Sequence, residues 1–233
     1  MIVGATWLMP VLSPRLMHIP DGFLSLVTAG MGWALSILVL AYAVARTNRQ
    51  LGERQVPLMG VMGAFIFAAQ MLNFPVAGGT SGHLIGGALA AILLGPWAGM
   101  LVMTSVVAIQ ALLFQDGGLV ALGANILNMA VITCLVGYST WIWLQRIIGD
   151  RAWKKMAGVF LAGWVSVFVA SLACALQLGI SGSLPLKIAL PAIGGIYALI
   201  GIGEGLISVA TMAFMTATRR DLAESRPRAK LGE

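Results

Sequence analysis

The chain has 233 residues, of which 59% are hydrophobic and 9% charged, with a mean hydropathy of +0.94 and a formal net charge of +6. A soluble domain carries about 25% charged residues, so this composition excludes a water-soluble globule, a disordered chain and a disulfide-stapled secreted fold. At about 20–25 residues per crossing, the length allows about six to eight passes through a bilayer, and an all-α polytopic membrane protein of one domain is expected.

In chain order, residues 1–16, MIVGATWLMPVLSPRL, are too short and too interrupted by Pro10 and Pro14 to cross a membrane. They also lack the basic start and small-residue cleavage site of a signal peptide. Seven apolar stretches follow, over about 23–45, 57–74, 82–95, 97–114, 123–144, 156–178 and 191–217. The third, GHLIGGALAAILL, is short and rich in glycine, so it is expected to lie tilted or packed inside the others. Gly95-Pro96 separates it from the fourth as a tight turn. On the second, Gly60, Ala64 and Ala68 form a small-residue row of the kind that lets helices approach closely. No internal repeat of useful length is present, and the tail from Arg219 is polar and basic.

Charge sets the orientation. Arg46, Arg49 and Arg54 follow the first stretch, and Arg146, Arg151, Lys154 and Lys155 follow the fifth. Arg219, Arg220, Arg226, Arg228 and Lys230 follow the seventh. Twelve of the 14 Lys and Arg residues thus fall on one side, with Arg15 and Lys187 on the other. The positive-inside rule makes the first side cytoplasmic, with the N-terminus outside and the C-terminal tail inside. In such a protein a net charge of +6 reads as basic cytoplasmic loops, not as a nucleic-acid surface. Cys134 and Cys174 lie in apolar runs without metal-type spacing. They read as packing residues, as do the 13 methionines scattered through nearly all the stretches.

The two histidines are His18, in Met17-His18-Ile19-Pro20-Asp21-Gly22-Phe23, and His83, in Gly78-Gly79-Thr80-Ser81-Gly82-His83. By the topology derived from charge, both fall on the extracytoplasmic side. A lone interfacial histidine is usually structural. Two on one face, with none elsewhere, point to a shared site, and imidazole favours Zn, Cu, Ni and Co. Gly78, Gly79 and Gly82 allow the close backbone approach of a loop received into a cavity, although a plain turn uses the same residues. Gln110, Gln115, Asp116, Asn125 and Asn128 form a second polar cluster facing outward, with Gln70 and Asn73 nearby. Asn125 and Asn128, one turn apart, are expected to share a helix face. The cluster reads as support for a site or as interhelical glue. Glu204, in Gly201-Ile202-Gly203-Glu204-Gly205, is the acid well inside a span. Such a carboxyl is a functional candidate by default or a hydrogen-bonded structural acid among small residues; no metal role is assigned to it.

Enzymatic readings fail on missing partners. Gly79-Thr80-Ser81-Gly82 fits the Gly-x-Ser-Gly pattern of rhomboid proteases, but a serine nucleophile needs a base, and no histidine follows His83. No His-Glu-x-x-His and no Walker A sequence occurs. An energy source for transport must therefore lie in partners or in an ion gradient.

The segment Met17-His18-Ile19-Pro20-Asp21-Gly22-Phe23-Leu24 resembles the N-terminal signature of the CbiM/NikM family, the substrate-binding membrane components of energy-coupling factor (ECF) transporters for cobalt and nickel. The resemblance continues through AAQMLNFPVAGGTSGHLIGGALAAILLGPWAG and QALLFQDGGLVALGANILNMAVI, and covers most of residues 17–135. It implies a non-enzymatic component that captures Co2+ or Ni2+ as cargo and uses no catalytic cofactor. In the family the chain begins at the Met-His, whose segment inserts into the helical bundle. The implied ligands are the amine of Met17, the main-chain nitrogen and imidazole of His18, and the imidazole of His83. Asp21, Gly79, Ser81, Gly82, Gln110, Asp116, Asn125 and Asn128 are expected to support the loops around them.

Sixteen residues precede Met17 here, and with them in place its nitrogen would be an amide. The expectation is therefore a mis-assigned extension over 1–16, a transmembrane metal-binding permease domain over 17–218 and a basic cytoplasmic tail over 219–233. The implied partners are a transmembrane coupling (T) component, two ATPase subunits and a small auxiliary membrane protein, in the cytoplasmic membrane of a bacterium or archaeon. Two alternatives stay open: an ion-coupled secondary transporter with Glu204 as its proton site, and a vitamin-binding component of the same transporter class.

Overall fold

The computed structural model describes residues 18–50, 52, 55–71, 74–76, 80–148 and 151–218. The expected extension 1–16, Met17, Asn73, Gly78, Gly79 and the tail 219–233 lie outside the described residues. Among the described residues the regular structure is helical, apart from one small hairpin. The helices are α1 (Leu26–Gln50), α2 (Gln55–Met71), α3 (Gly87–Leu94), α4 (Pro96–Phe114), α5 (Leu122–Ile126), α6 (Thr133–Ile148), α7 (Ala152–Ile180) and α8 (Leu186–Thr218). A π-helical turn, Leu127–Ile132, joins α5 to α6, so Leu122–Ile147 reads as one apolar rod. Before α3, strands β1 (Phe74–Val76) and β2 (Thr80–Gly82) pair antiparallel, with Pro75 opposite Ser81.

Among the described residues, five helical rods are long and apolar enough to cross a membrane, and the 17-residue α2 is a shorter apolar helix. With α3 they account for the seven apolar stretches. The third stretch is broken. Its helix has eight residues, about 12 Å at 1.5 Å per residue, and His83–Gly86 before it is non-helical. Leu84, Ile85 and every α3 residue from Gly87 to Ile92 are buried. Irregular backbone at membrane depth is tolerated where it is enclosed by protein, and this segment is enclosed. α3 is apolar all round because other helices surround it. A Cβ at Gly87 would run into Thr133, and one at Gly137 would come 2.5 Å from Ala88.

Punctuation follows local chemistry. Gly95, at φ 85°, ψ 159°, ends α3 and starts α4, with Pro96 in the first helical position, where its missing N–H costs nothing. α4 closes on Gln115 in the left-handed region (φ 54°), and the N–H of Asp116 donates to the Gln110 carbonyl at 3.0 Å. α7 and α8 pack side by side through glycine. A Cβ on Gly201 would approach Trp164 to 2.9 Å, and one on Gly205 would reach the Phe160 ring at 2.5 Å.

The small-residue row on α2 behaves differently from its expectation. Gly60, Ala64 and Ala68 lie on the exposed face, and a Cβ at Gly60 would meet nothing within 4 Å. The α2 glycine that faces a neighbour is Gly63, whose Cβ would sit 3.6 Å from Val102. Large apolar side chains are exposed along the outer helices, Leu26, Val27, Leu38 and Leu113 among them, as a lipid-facing surface requires.

Candidate metal-binding site

The site begins with the segment before α1. His18 and Ile19 are buried, although no regular structure holds them. Their backbone needs partners, because buried peptide groups left unpaired are costly. Asn125 supplies two: the Ile19 N–H donates to Asn125 Oδ1 at 2.9 Å, and Asn125 Nδ2 donates to the Ile19 carbonyl at 3.1 Å. The N–H of Gly118 donates to the same carbonyl at 2.9 Å.

Three residues on, Asp21 is held by the chain entering α5. Its Oδ1 accepts the N–H groups of Val120 and Ala121 at 2.8 and 3.1 Å, and its Oδ2 accepts that of Leu119 at 3.0 Å. A carboxyl group at the start of a helix takes donors that have no partner within the helix. The hydroxyl of Ser183 donates to the Phe23 carbonyl, tying the segment to the loop before α8. Glycine makes room for it. Gly117, at φ +102°, would place a Cβ 3.5 Å from His18 Cβ, and a Cβ on Gly118 would run into Asp21.

From the other side, the broken third stretch brings His83. Its ring centroid lies 5.0 Å from that of His18, with the planes at 47°. His83 Nδ1 lies 2.8 Å from the Leu84 carbonyl. A carbonyl oxygen can only accept, so Nδ1 carries a proton, and in the neutral ring Nε2 is then the acceptor nitrogen. A hydrogen bond to backbone on one ring nitrogen fixes tautomer and orientation in many metal-binding histidines.

Glu204, Gln70 and the Leu84–Gly86 backbone form a buried polar knot under His83. Glu204 Oε2 accepts the Ile85 N–H at 2.7 Å, Glu204 Oε1 accepts the Gly86 N–H at 2.8 Å, and Gln70 Nε2 donates to the Ile85 carbonyl at 2.6 Å. Asn128 points elsewhere. It exchanges paired amide hydrogen bonds of 2.8 and 2.9 Å with Gln177 on α7. Asn125 and Asn128 thus serve different neighbours, the first the segment before α1 and the second α7.

Gln110 is buried in the last turns of α4, just before the loop that packs on His18. Among the described residues no hydrogen bond reaches its side-chain amide. The main chain of Asp116 closes α4, and Ser81 and Gly82 belong to β2; Gly79 and Met17 lie outside the described residues. Among the described residues, no third His, Cys, Asp or Glu completes a group that could hold a metal ion.

The described residues form a multi-pass helical bundle in which buried His18 meets half-buried His83. Residues 18–222 match the family described as CbiM, the cobalt uptake substrate-specific transmembrane region, and the chain belongs to that family. It is 44% identical over 212 residues to the NikMN-named fused nickel transport protein of Archaeoglobus fulgidus, covering 90% of this chain and 69% of that protein. It is 34% identical over 215 residues to the cobalt transport protein CbiM of Salmonella typhimurium, covering 88% and 85%. The crystal structure of a truncated transition metal transporter superposes with a TM-score of 0.79 at 34% identity, over 86% of this chain and 98% of that one. The protein is a cobalt/nickel transport component of the CbiM family, a group that works with other components of cobalt transport systems.

Proposed function

We propose that this protein captures Co2+ or Ni2+ on the extracytoplasmic side of a bacterial or archaeal cytoplasmic membrane. It passes the ion inward as the substrate-binding component of an ECF importer. The ligands are the amine of Met17, the main-chain nitrogen and imidazole of His18, and the imidazole of His83. The observation that carries the reading is the approach of half-buried His83 to buried His18, with ring centroids 5.0 Å apart and both parent segments tied down by hydrogen bonds. Two imidazoles alone make a weak site. Consecutive amine, amide nitrogen and imidazole donors from Met17-His18 form fused chelate rings, and four nitrogen donors in a plane suit Ni(II) or Cu(II).

The amine donor requires a chain whose first residue is Met17. In the working complex a transmembrane coupling component, two ATPase subunits and a small auxiliary membrane protein supply the energy and the route of release. The direct test is native mass spectrometry of the purified protein, expressed from its own gene and offered equal Co(II) and Ni(II). One bound metal on a chain starting at Met17, lost in His83→Ala, is the expected result. A chain that keeps Ile2–Leu16 and binds no metal sinks the amine ligand. Wild-type metal affinity in His83→Ala sinks the site as a whole.

A further inference from the structure

The use of Glu204 is the largest question left by the site just described. Its side chain is 1% exposed and sits on α8, 119 residues along the chain from the peptide it touches. That peptide is the one stretch of the third apolar segment with no helix or strand to satisfy it. At such depth its N–H and C=O groups need partners within the protein. Side chains provide them: Glu204 takes both the Ile85 and Gly86 N–H groups, Gln70 donates to the Ile85 carbonyl, and His83 itself donates to the Leu84 carbonyl.

We propose that Glu204, together with Gln70, is a positioning residue for the metal site, gripping Ile85 and Gly86 so that the Nε2 of His83 is presented toward His18. This rests on the reading of His83 as a metal ligand. Neither Glu204 nor Gln70 touches the ion in this account; both act through main chain two residues from the imidazole. A carboxyl with two acceptor oxygens suits two neighbouring N–H donors, and an amide with a free N–H suits the carbonyl between them. The surroundings keep the grip in place. Gly86, at φ +84°, would press a Cβ to 3.0 Å from Ile66, so the chain turns into α3 against a filled wall. A Cβ on Gly163 would lie 3.5 Å from Glu204 Cγ and 3.3 Å from Gly205 Cα, so glycine lets α7 close behind the side chain. The grip also couples the site to α8, so a shift of that helix moves the peptide that carries His83.

The test is Ni(II) titration, in detergent, of the protein whose chain starts at Met17, read both by calorimetry and by the ligand-field absorption of bound Ni(II). Glu204→Gln keeps the size but turns an NH2 toward one N–H donor. Partners that orient a metal ligand are worth about 10–100-fold in affinity. A loss in that range, with a changed ligand-field spectrum, is expected. Gln70→Met removes the second handhold and shifts the spectrum the same way, with a loss of about tenfold or less. Ser208→Ala, one turn along α8 at another buried site, leaves affinity and spectrum unchanged. If Glu204→Gln does not yield folded protein, Gln70→Met decides alone. A wild-type spectrum in the grip variants overturns the proposal, whatever their affinity. If His83→Ala also binds Ni(II) like wild type, the metal-site reading itself has failed; if His83→Ala abolishes binding, the positioning role alone is lost.

Discussion

Asn125 shows how much one side chain can hold. It pairs with both the N–H and the C=O of Ile19, as a neighbouring strand would, and so substitutes for secondary structure in a segment that has none. Its replacement by alanine removes two hydrogen bonds and leaves a buried peptide unit short of partners. At about 0.5–1.5 kcal/mol for each bond, the held segment loses about 1–3 kcal/mol. Since 1.4 kcal/mol is tenfold, Asn125→Ala is expected to weaken Ni(II) binding by about tenfold or more while the bundle still folds. Calorimetric titration alongside the elution profile in detergent checks both halves. The polar cluster was visible in the sequence because amides are rare in apolar runs. Which amide serves the site and which serves a neighbour was not, since Asn125 and Asn128 are the same residue type and differ only in what packs against each. The Glu204 contact with Ile85 and Gly86 was hidden for a related reason: it joins residues far apart in the chain, and the partner groups are main chain, which leaves no mark in a sequence.

At the level of elements, glycine has opposite meanings on two helices. Gly32 on α1 faces α5, where a Cβ would stand 2.8 Å from Ala124 N and 2.9 Å from Ala124 Cα. Backbone cannot yield as a flexible side chain does, so Gly32→Ala must separate the helices, at about 1–3 kcal/mol for overpacking. Gly60→Ala meets nothing within 4 Å. It should be neutral or stabilising by about 0.5–1 kcal/mol, the intrinsic advantage of alanine over glycine in a helix. Thermal unfolding of the two variants in one detergent should place them on opposite sides of wild type; equal midpoints refute the packing argument. Hydropathy alone located the seven apolar stretches, including the odd third one, whose short, glycine-rich run was expected to lie tilted or packed inside the others. It did not reveal which face of α2 is packed, since that helix is apolar all round and carries no stripe to orient it.

For the molecule as a whole, the ion is expected to act as a fastener. A ligand that binds the folded state alone stabilises it by RT ln(1 + [L]/Kd), about 2.7 kcal/mol at one hundred times Kd. Saturating Ni(II) should therefore raise the unfolding temperature of the wild type and leave that of His83→Ala unmoved. The rise should shrink as pH falls, because nitrogen donors must shed protons to bind. A metal-induced rise that is the same at acid and neutral pH contradicts a nitrogen-ligand site. The seven apolar stretches and the two outlying histidines were legible before any coordinates, because each is a property of composition along the chain.

The three N–H groups that Asp21 collects from Leu119, Val120 and Ala121, together with the Gly118 N–H on Ile19, make a set of reporters. While the segment is seated, these protons are held in hydrogen bonds. When it lifts, they are released together. Hydrogen–deuterium exchange at residues 118–121 therefore times the opening of the site without any label on the metal, and slower exchange with cargo aboard measures how long each ion stays.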